Sequence, residues 1–480
     1  MKRRAKQLTL MVLLVFFASG CAVGPNYKRP TVNTPGDFRS AQTPAEQASL
    51  ADLPWWVIFR DETLQKLITE ALENNYDLRV AVTRVEQSRQ IAAQARSQFF
   101  PSINYDGAIA TGRNSFLGTA SPNAGATAGS ALLDLSVFWE MDLWGRIRRL
   151  NEAARAQFLA SDEARRGVMI SLVSSVAQAY FELLELDLAL GITRRSTQSF
   201  EDSLKLFTQR LEGGVASKLE TSTAEAYLGN VAANVPEFER QIVLKENQIN
   251  VLLGRNPGPV ERRATLLQET MPPQIPAGLP SALLERRPDI RQAEQNLRAA
   301  NAQIGVAVAN FFPQIGLTTL FGKVSPELSA FTAGSANLWA VAGTMTGPIF
   351  RGGALVAQYR QAKAVWEEAK LVYEQTALNA FQEVSNALTS SQKFEEVSAQ
   401  QTRTVKAYEQ AVQISLKRYT YGKTGYYEVL LNQQQLFPAE IVLAQTQLNQ
   451  LNVIVQLYKA LGGGWQEYET TTVARQRASD

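Results

Sequence analysis

Residues 354–421 read ALVAQYRQAKAVWEEAKLVYEQTALNAFQEVSNALTSSQKFEEVSAQQTRTVKAYEQAVQISLKRYTY, without one Gly or Pro. At the helical rise of 1.5 Å per residue such a stretch makes a rod roughly 100 Å long, several times an ordinary globular helix. Small and apolar residues recur at three- and four-residue steps in Ala362, Val365, Ala369, Val372, Thr376, Ala380, Val384 and Ala387. Lys, Glu, Gln and Asn fill the other faces, so the spacing predicts a seam for neighbouring helices. No compact core is that long, and the chain is expected to build something elongated.

A second such helix is expected from Arg146 to Glu212, interrupted only by Gly167 and Gly191. It turns at Gly213-Gly214 and returns from about Ser217 to Leu253, with a kink expected at Pro236. Upstream, Asp61 is a good N-cap for a helix with Leu64, Leu67, Ile68, Ala71 and Leu72 on one side. That helix should break near Asn74-Asn75 and end before Pro101.

The plan then repeats. Phe99-Phe100-Pro101 recurs as Phe311-Phe312-Pro313 and Asp77 as Asp289, at an offset of 212. Gly145 recurs as Gly353, Arg210 as Arg418, Gly214 as Gly422, Glu220 as Glu428 and Leu253-Gly254 as Leu461-Gly462, at 208. The change of offset must fall between Pro101 and Gly145, where insertions belong in a loop tip. There the period switches to two. Ile103, Tyr105 and Ile109 alternate with Asn104 and Asp106; Leu133, Leu135, Val137, Trp139 and Met141 alternate with Asp134, Ser136, Glu140 and Asp142, Phe138 being the exception. A loop from about Thr111 to Ser130 joins these strands. In the second repeat the strands are 314–322, with Ile315, Leu317, Thr319 and Phe321 on one face, and 337–346, with Trp339, Val341 and Met345.

The N-terminus has Lys2, Arg3, Arg4 and Lys6, an apolar run from Leu8 to Ala18, then Ala18-Ser19-Gly20-Cys21. The run is too short to span a bilayer and suits a secretory signal. Small residues before the only cysteine resemble a bacterial lipobox, which implies acylation of Cys21 after cleavage, and Ala22 behind it implies sorting to the outer membrane. Removing the first twenty residues turns the formal charge of +3 negative, which argues against a nucleic-acid partner. The remaining chain has no second cysteine and no histidine. Disulfides, thiol nucleophiles, His-based acid/base catalysis and common zinc sites are excluded.

The expected organisation is a signal peptide over 1–20, a lipidated strap over 21–60, and a first repeat over 61–254 with its β-hairpin at about 102–142. A Pro-rich crossover over 255–280, a second repeat over 281–465 with its hairpin at about 314–346, and a tail over 466–480 follow. No mature stretch approaches the ~18 apolar residues of a membrane helix. A bilayer would therefore be crossed by strands, which must close into a barrel. Four strands cannot close one, and about eight make the smallest barrels. Three copies would supply twelve. The competing reading is a small soluble sheet.

Cys21-Ala22-Val23-Gly24-Pro25-Asn26-Tyr27, Arg287-Pro288-Asp289-Ile290 with Ala293-Glu294, Phe311-Phe312-Pro313, Gly347-Pro348-Ile349-Phe350 and the Tyr-rich turn at 419–427 together resemble the TolC-like outer-membrane efflux proteins. The likeness is greatest to their lipoprotein branch, typified by OprM, and covers nearly the whole mature chain. It implies a mainly α protein with membrane β: a homotrimer with a twelve-stranded β-barrel in the outer membrane, a periplasmic α-barrel of long helical hairpins, and an equatorial belt. It also implies a palmitoylated Cys21, a periplasmic adaptor (membrane fusion protein), an inner-membrane transporter of the resistance-nodulation-division type, and no cofactor or metal. Function would be passive conduction of drugs or other small compounds to the exterior, or alternatively an exit duct for type I secretion.

A gate is expected where the helical hairpins turn, at Gly213, Gly214 and Gly422. Around these turns stand Arg210, Glu212, Glu220, Arg418, Tyr419, Tyr421 and Glu428. In the family, hydrogen bonds and ion pairs near this end hold the helices in a closed iris, and Arg and Tyr suit links broken one at a time. Thr424 and Leu431 stand where many relatives carry Asp, so the weight is expected on Arg418 and Tyr421. An enzyme would have to work with carboxylates alone, as glycosidases can. Glu140 and Asp142 share a strand face, but their neighbours form a periodic wall instead of a pocket. A periplasmic adaptor or structural lipoprotein would usually carry one helical hairpin per chain, not two.

Overall fold

The computed structural model describes residues 22–40, 49–113, 127–269, 278–326 and 328–463. The leader, the candidate acylation site Cys21, the hairpin tip at 114–126 and the tail from 464 lie outside the described residues.

The elements run α1 (Glu62–Asn74), α2 (Tyr76–Ser97), β1 (Ser102–Arg113), β2 (Thr127–Met141), α3 (Arg146–Glu212), α4 (Lys218–Ala232), α5 (Asn234–Leu252), α6 (Pro288–Ala309), β3 (Gln314–Ser325), β4 (Asn337–Thr346), α7 (Ala354–Thr420) and α8 (Tyr426–Ala460), with short helical turns between some of them. Among the described residues, 22–31, 84–161 and 292–373 form one compact unit. The described residues of 32–83, 162–291 and 374–463 form the second.

In the first unit the four strands make one antiparallel sheet in the order β1-β2-β3-β4. Its register aligns the alternation of all four. Ile103, Val137, Thr319 and Val341 form one row across the sheet, and Tyr105, Leu135, Phe321 and Trp339 the next. The row between them holds Asn104, Ser136, Leu320 and Ala340, and the row beyond holds Asp106, Asp134, Gly322 and Leu338. One face is apolar across all four strands, while the other is polar on β1 and β2 and small or apolar over much of β3 and β4. Phe138 breaks the pattern because Gly316 makes room for it: a Cβ there would lie 3.0 Å from the Phe138 ring. The strands also run further than expected, to Arg113 and from Thr127, because pairing extends the ladder into residues whose composition reads as loop.

The segment from Ala22 to Arg29 is seated in the same unit. The Val23 amide donates to the Trp144 carbonyl at 3.0 Å. Arg149 donates to the carbonyls of Val23 and Gly24 and, at 2.8 Å, to Asn26 Oδ1. Asn301 reaches the Pro25 carbonyl, and the buried Glu294 takes Arg29 and Arg298 at 2.7 Å each and the Tyr27 hydroxyl at 3.2 Å. Gly24 has φ +91°, and a Cβ on it would stand 2.6 Å from the Gly305 Cα. Only glycine fits this approach.

In the second unit, Asp61 caps α1 by accepting from the Thr63 and Leu64 amides at 2.6 and 3.4 Å. Leu64, Leu67, Ile68, Ala71 and Leu72 are all buried. The return of the first hairpin breaks at Ala233, not at Pro236. Pro236 then sits in the first turn of α5, where a missing N–H costs nothing, so the helix is interrupted one turn earlier.

The expected seam of α7 is only partly buried. Ala380, Val384 and Ala387 are buried together with Tyr373, Ala377 and Phe381, whereas Val365 and Val372 stand 47% and 48% exposed. A stripe read at 3.5-residue steps drifts around a 3.6-residue helix over this length. One stretch of α3 is long and apolar enough to cross a membrane, contrary to expectation, and 67% of it is buried within the chain. Residues of a packed core meet the same test.

Candidate functional site

The two long helices end in the same hydrogen-bonded turn. At the end of α3 the Gly214 amide donates to the Leu211 carbonyl and the Val215 amide to the Arg210 carbonyl, both at 2.9 Å. At the end of α7 the Gly422 amide donates to Tyr419 and the Lys423 amide to Arg418, again at 2.9 Å. This closure needs one left-handed residue, supplied by Gly214 at φ +75° and Gly422 at φ +68°. Gly213 occupies the position before it.

Behind the turns lies an apolar cluster from both hairpins: Phe200 and Phe207 of α3, Ala224 of α4, Tyr419 of α7, and Tyr426 and Val429 of α8. The Phe207 ring meets Tyr419 edge-on at 5.7 Å, and Tyr419 meets Tyr426 at 6.0 Å. Such contacts prefer tilted geometry and add to the area they bury. Burial pushes both tyrosine hydroxyls above their ordinary range, with Arg210 opposing the shift at Tyr419. Beside the cluster, Gln433 Nε2 donates to Ser199 Oγ at 3.0 Å and Ser203 Oγ at 3.3 Å, a buried polar tie between α8 and α3.

The expected gate residues differ in what they touch. Tyr419 is a core residue, 6% exposed, with the Arg210 guanidinium carbon 4.6 Å from its ring centre. Arg418 and Glu428 form an ion pair at 3.2 Å. Glu220 is spent on its own helix start: its carboxylate accepts from the Ser217 amide at 2.9 Å while Ser217 Oγ accepts from the Glu220 amide at 3.3 Å. Glu212 lines a shallow cleft with Glu201, Lys205, Thr208 and Leu228. Tyr421 points outward, 77% exposed. The structure thus brings Arg210 to Tyr419 and Arg418 to Glu428, and leaves Glu212 and Tyr421 apart from them.

Sequence reasoning passed over Ser217, Ser199, Ser203 and Gln433. The Ser217-Lys218-Leu219-Glu220 spacing is a capping-box signature and was available in the sequence. The trio, of which Ser203 and Gln433 are buried, carried no signal, since serines and glutamines on a long helix read as solvated.

Glu140, on β2, and Asp142, which stands one residue past the end of β2 instead of on it as expected, both serve the start of α3. Glu140 makes a two-pronged pair with Arg146, at 3.0 Å to Nε and 2.7 Å to Nη2. Asp142 accepts from the Ile147 and Arg148 amides at 3.0 and 2.8 Å. Both are held by groups that need a carboxylate at a helix N-terminus.

Residues 67–255 and 279–463 match the family model described as outer membrane efflux protein. The chain is 35% identical over 484 residues to the toluene efflux pump outer membrane protein TtgC of Pseudomonas putida, covering 99% of this chain and 98% of the relative. It is 32% identical over 458 residues to the cation efflux system protein CusC of Escherichia coli O157:H7, covering 94% and 97%. Among solved structures it resembles the outer-membrane channel OprN with a TM-score of 0.86 and 30% identity, over 93% of this chain and 100% of that one.

Proposed function

The chain belongs to the outer membrane efflux protein family, and on that premise we propose that it conducts solutes passively through a lumen whose gate lies at the turns of its helical hairpins. It is an outer-membrane efflux channel, spanning that membrane and extending into the periplasm. It works as a homotrimer with a periplasmic adaptor and an inner-membrane transporter of the resistance-nodulation-division type, which supplies the energy. The family forms channels and is not an enzyme family.

The observation that carries this reading is the aligned register of the sheet. An apolar face that runs across all four strands, with Asn104, Asp106, Asp134 and Ser136 on the opposite face of β1 and β2, is what a barrel wall between lipid and water requires. Three sheets, joined β4 to β1, close twelve strands and leave no edge in lipid. The exposed apolar residues of α7, Val365 and Val372, then become surface for a neighbouring copy.

The gate assignment is supported by the position of Arg210, Arg418, Tyr419 and Glu428 at the two closed turns. The Arg418–Glu428 link is half-exposed and worth up to about 1 kcal/mol, and a threefold set of such weak links can open in steps. Glu212 and Tyr421, with the turns at Gly213, Gly214 and Gly422, complete the proposed iris, and Glu220 serves it only by capping the start of α4. Tyr421 would serve by meeting a neighbouring copy.

Acylation of Cys21 is part of the same proposal. Residues 22–29 are fastened by Arg149, Glu294 and Asn301 in the unit that contains the strands, a fixed seat directly after the candidate lipid site. The division into strap, two repeats and crossover is proposed with it.

Planar-bilayer recording tests the gate. Arg418→Ala combined with Tyr421→Phe is expected to raise closed-state conductance. Unchanged conductance sinks the assignment.

A further inference from the structure

We propose that one N-cap position in each repeat, Ser217 in the first and Gly425 in the second, decides what the glutamate three residues later can hold. Ser217 confines Glu220 to its own helix, and Gly425 releases Glu428 to Arg418. The inference deepens the gate reading above and rests on it for its functional meaning only.

The two positions correspond at the 208-residue offset that also relates Arg210 to Arg418 and Glu220 to Glu428. Their backbones are alike: φ −94°, ψ 155° at Ser217 and φ −76°, ψ 159° at Gly425. Any residue adopts this extended conformation. A Cβ added at Gly425 would meet nothing within 4 Å. Neither strain nor crowding therefore calls for glycine there. What Gly425 lacks, relative to its counterpart, is a hydroxyl.

That difference tracks the wiring. Where the hydroxyl is present, Ser217 Oγ accepts from the Glu220 amide and the Glu220 carboxylate turns back to the Ser217 amide, a reciprocal box. Where it is absent, the α8 start has no side-chain cap. The Glu428 amide bonds only the Gly425 carbonyl, at 3.3 Å, and the carboxylate reaches across the turn to Arg418 Nη1 at 3.2 Å. Arg210, the counterpart of Arg418, rests on the Tyr419 ring. The same Arg position thus makes an exposed ion pair in the second hairpin and a buried-ring contact in the first. Only the ion pair is open to salt and to competing charges, because Arg418 and Glu428 remain 51% and 47% exposed.

Gly425→Ser should install the box and draw Glu428 away from Arg418; Gly425→Ala adds a Cβ without an acceptor and serves as its control. Serine is at least as good an N-cap as glycine, so the variant should fold. The measurement is a double-mutant cycle, Arg418→Ala against Glu428→Gln, read by thermal unfolding of the full-length trimer in each background. Coupling is expected in the natural protein and with Gly425→Ala, and its loss with Gly425→Ser. Equal coupling in all three overturns the inference. Closed-state conductance of Gly425→Ser then addresses the gate separately. Lost coupling with raised conductance supports both readings, whereas lost coupling with unchanged conductance upholds the wiring and removes Arg418 from the gate.

Discussion

Two carboxyls make the stability of this protein depend on pH near neutrality. Glu185 is buried in α3, and burial first, then the charge of Glu182, pushes its pKa up to about 7. Glu269 is raised to about 7 by burial and by Asp61, which already accepts the Tyr180 hydroxyl at 2.5 Å. In both, the folded pKa exceeds the unfolded value of 4.5, so the folded chain binds more protons between the two. Stability must fall as pH rises from about 4.5 to about 7 and level off above, by on the order of 1–3 kcal/mol for Glu185 and by less for Glu269, whose greater exposure lets solvent screen its charge. Denaturation midpoints at pH 5 and pH 8 should differ in that sense, and Glu185→Gln with Glu269→Gln should flatten the slope. A slope of the opposite sign in this window, or one untouched by the two substitutions, counts against the assignment. None of this was legible in the sequence, where Glu185 sits in an apolar run and Glu269 in a Pro-rich crossover.

At the scale of elements, the helical hairpins are held at their turns by aromatic packing more than by charge. Phe207 is 1% exposed and touches both Tyr419 and Tyr426. Removing it with Phe207→Ala should cost about 3–5 kcal/mol locally. Amide hydrogen exchange should then quicken over 200–232 and 419–430 while β1 to β4 keep their protection; uniform quickening would contradict a separate cluster. The elements themselves were largely legible. Asp61 and Gly422 marked a start and a stop because caps are decided by one residue's hydrogen bonding and φ. Proline was the less dependable signal. Pro236 displaced a break to Ala233, and Pro438 lies inside α8 without ending it. What a proline does depends on whether neighbouring helices hold the rest of the helix in place.

For the whole molecule, function depends on which sheet face meets lipid. Leu135 lies mid-strand on the apolar face and Ser136, next to it, on the polar one. Leu135→Arg should destabilise the assembled protein by roughly 2–4 kcal/mol, a cation at the bilayer midplane. Ser136→Arg should be tolerated and should alter ion selectivity. Heat-modifiable migration of the trimer on gels, with outer-membrane fractionation, reads the first; bilayer recording reads the second. Equal tolerance of both would mean that the sheet does not stand between lipid and water.

The sequence by itself determined two tandem repeats, helices too long for a compact core, four strands with one oily face, and the turns that reverse the helices. These follow from local rules, since periodicity, capping and turn glycines act within a few residues of each other. Only the tertiary structure decided that Glu140 and Asp142 belong to the start of α3, that Glu220 is spent on Ser217 while Glu428 reaches Arg418, and that Gln433 ties α8 to α3. A charged side chain on a long helix looks the same in the sequence whether it faces water or a partner. Its partner is fixed by which turn of which helix lies opposite, and that register is set by packing across more than two hundred residues of chain.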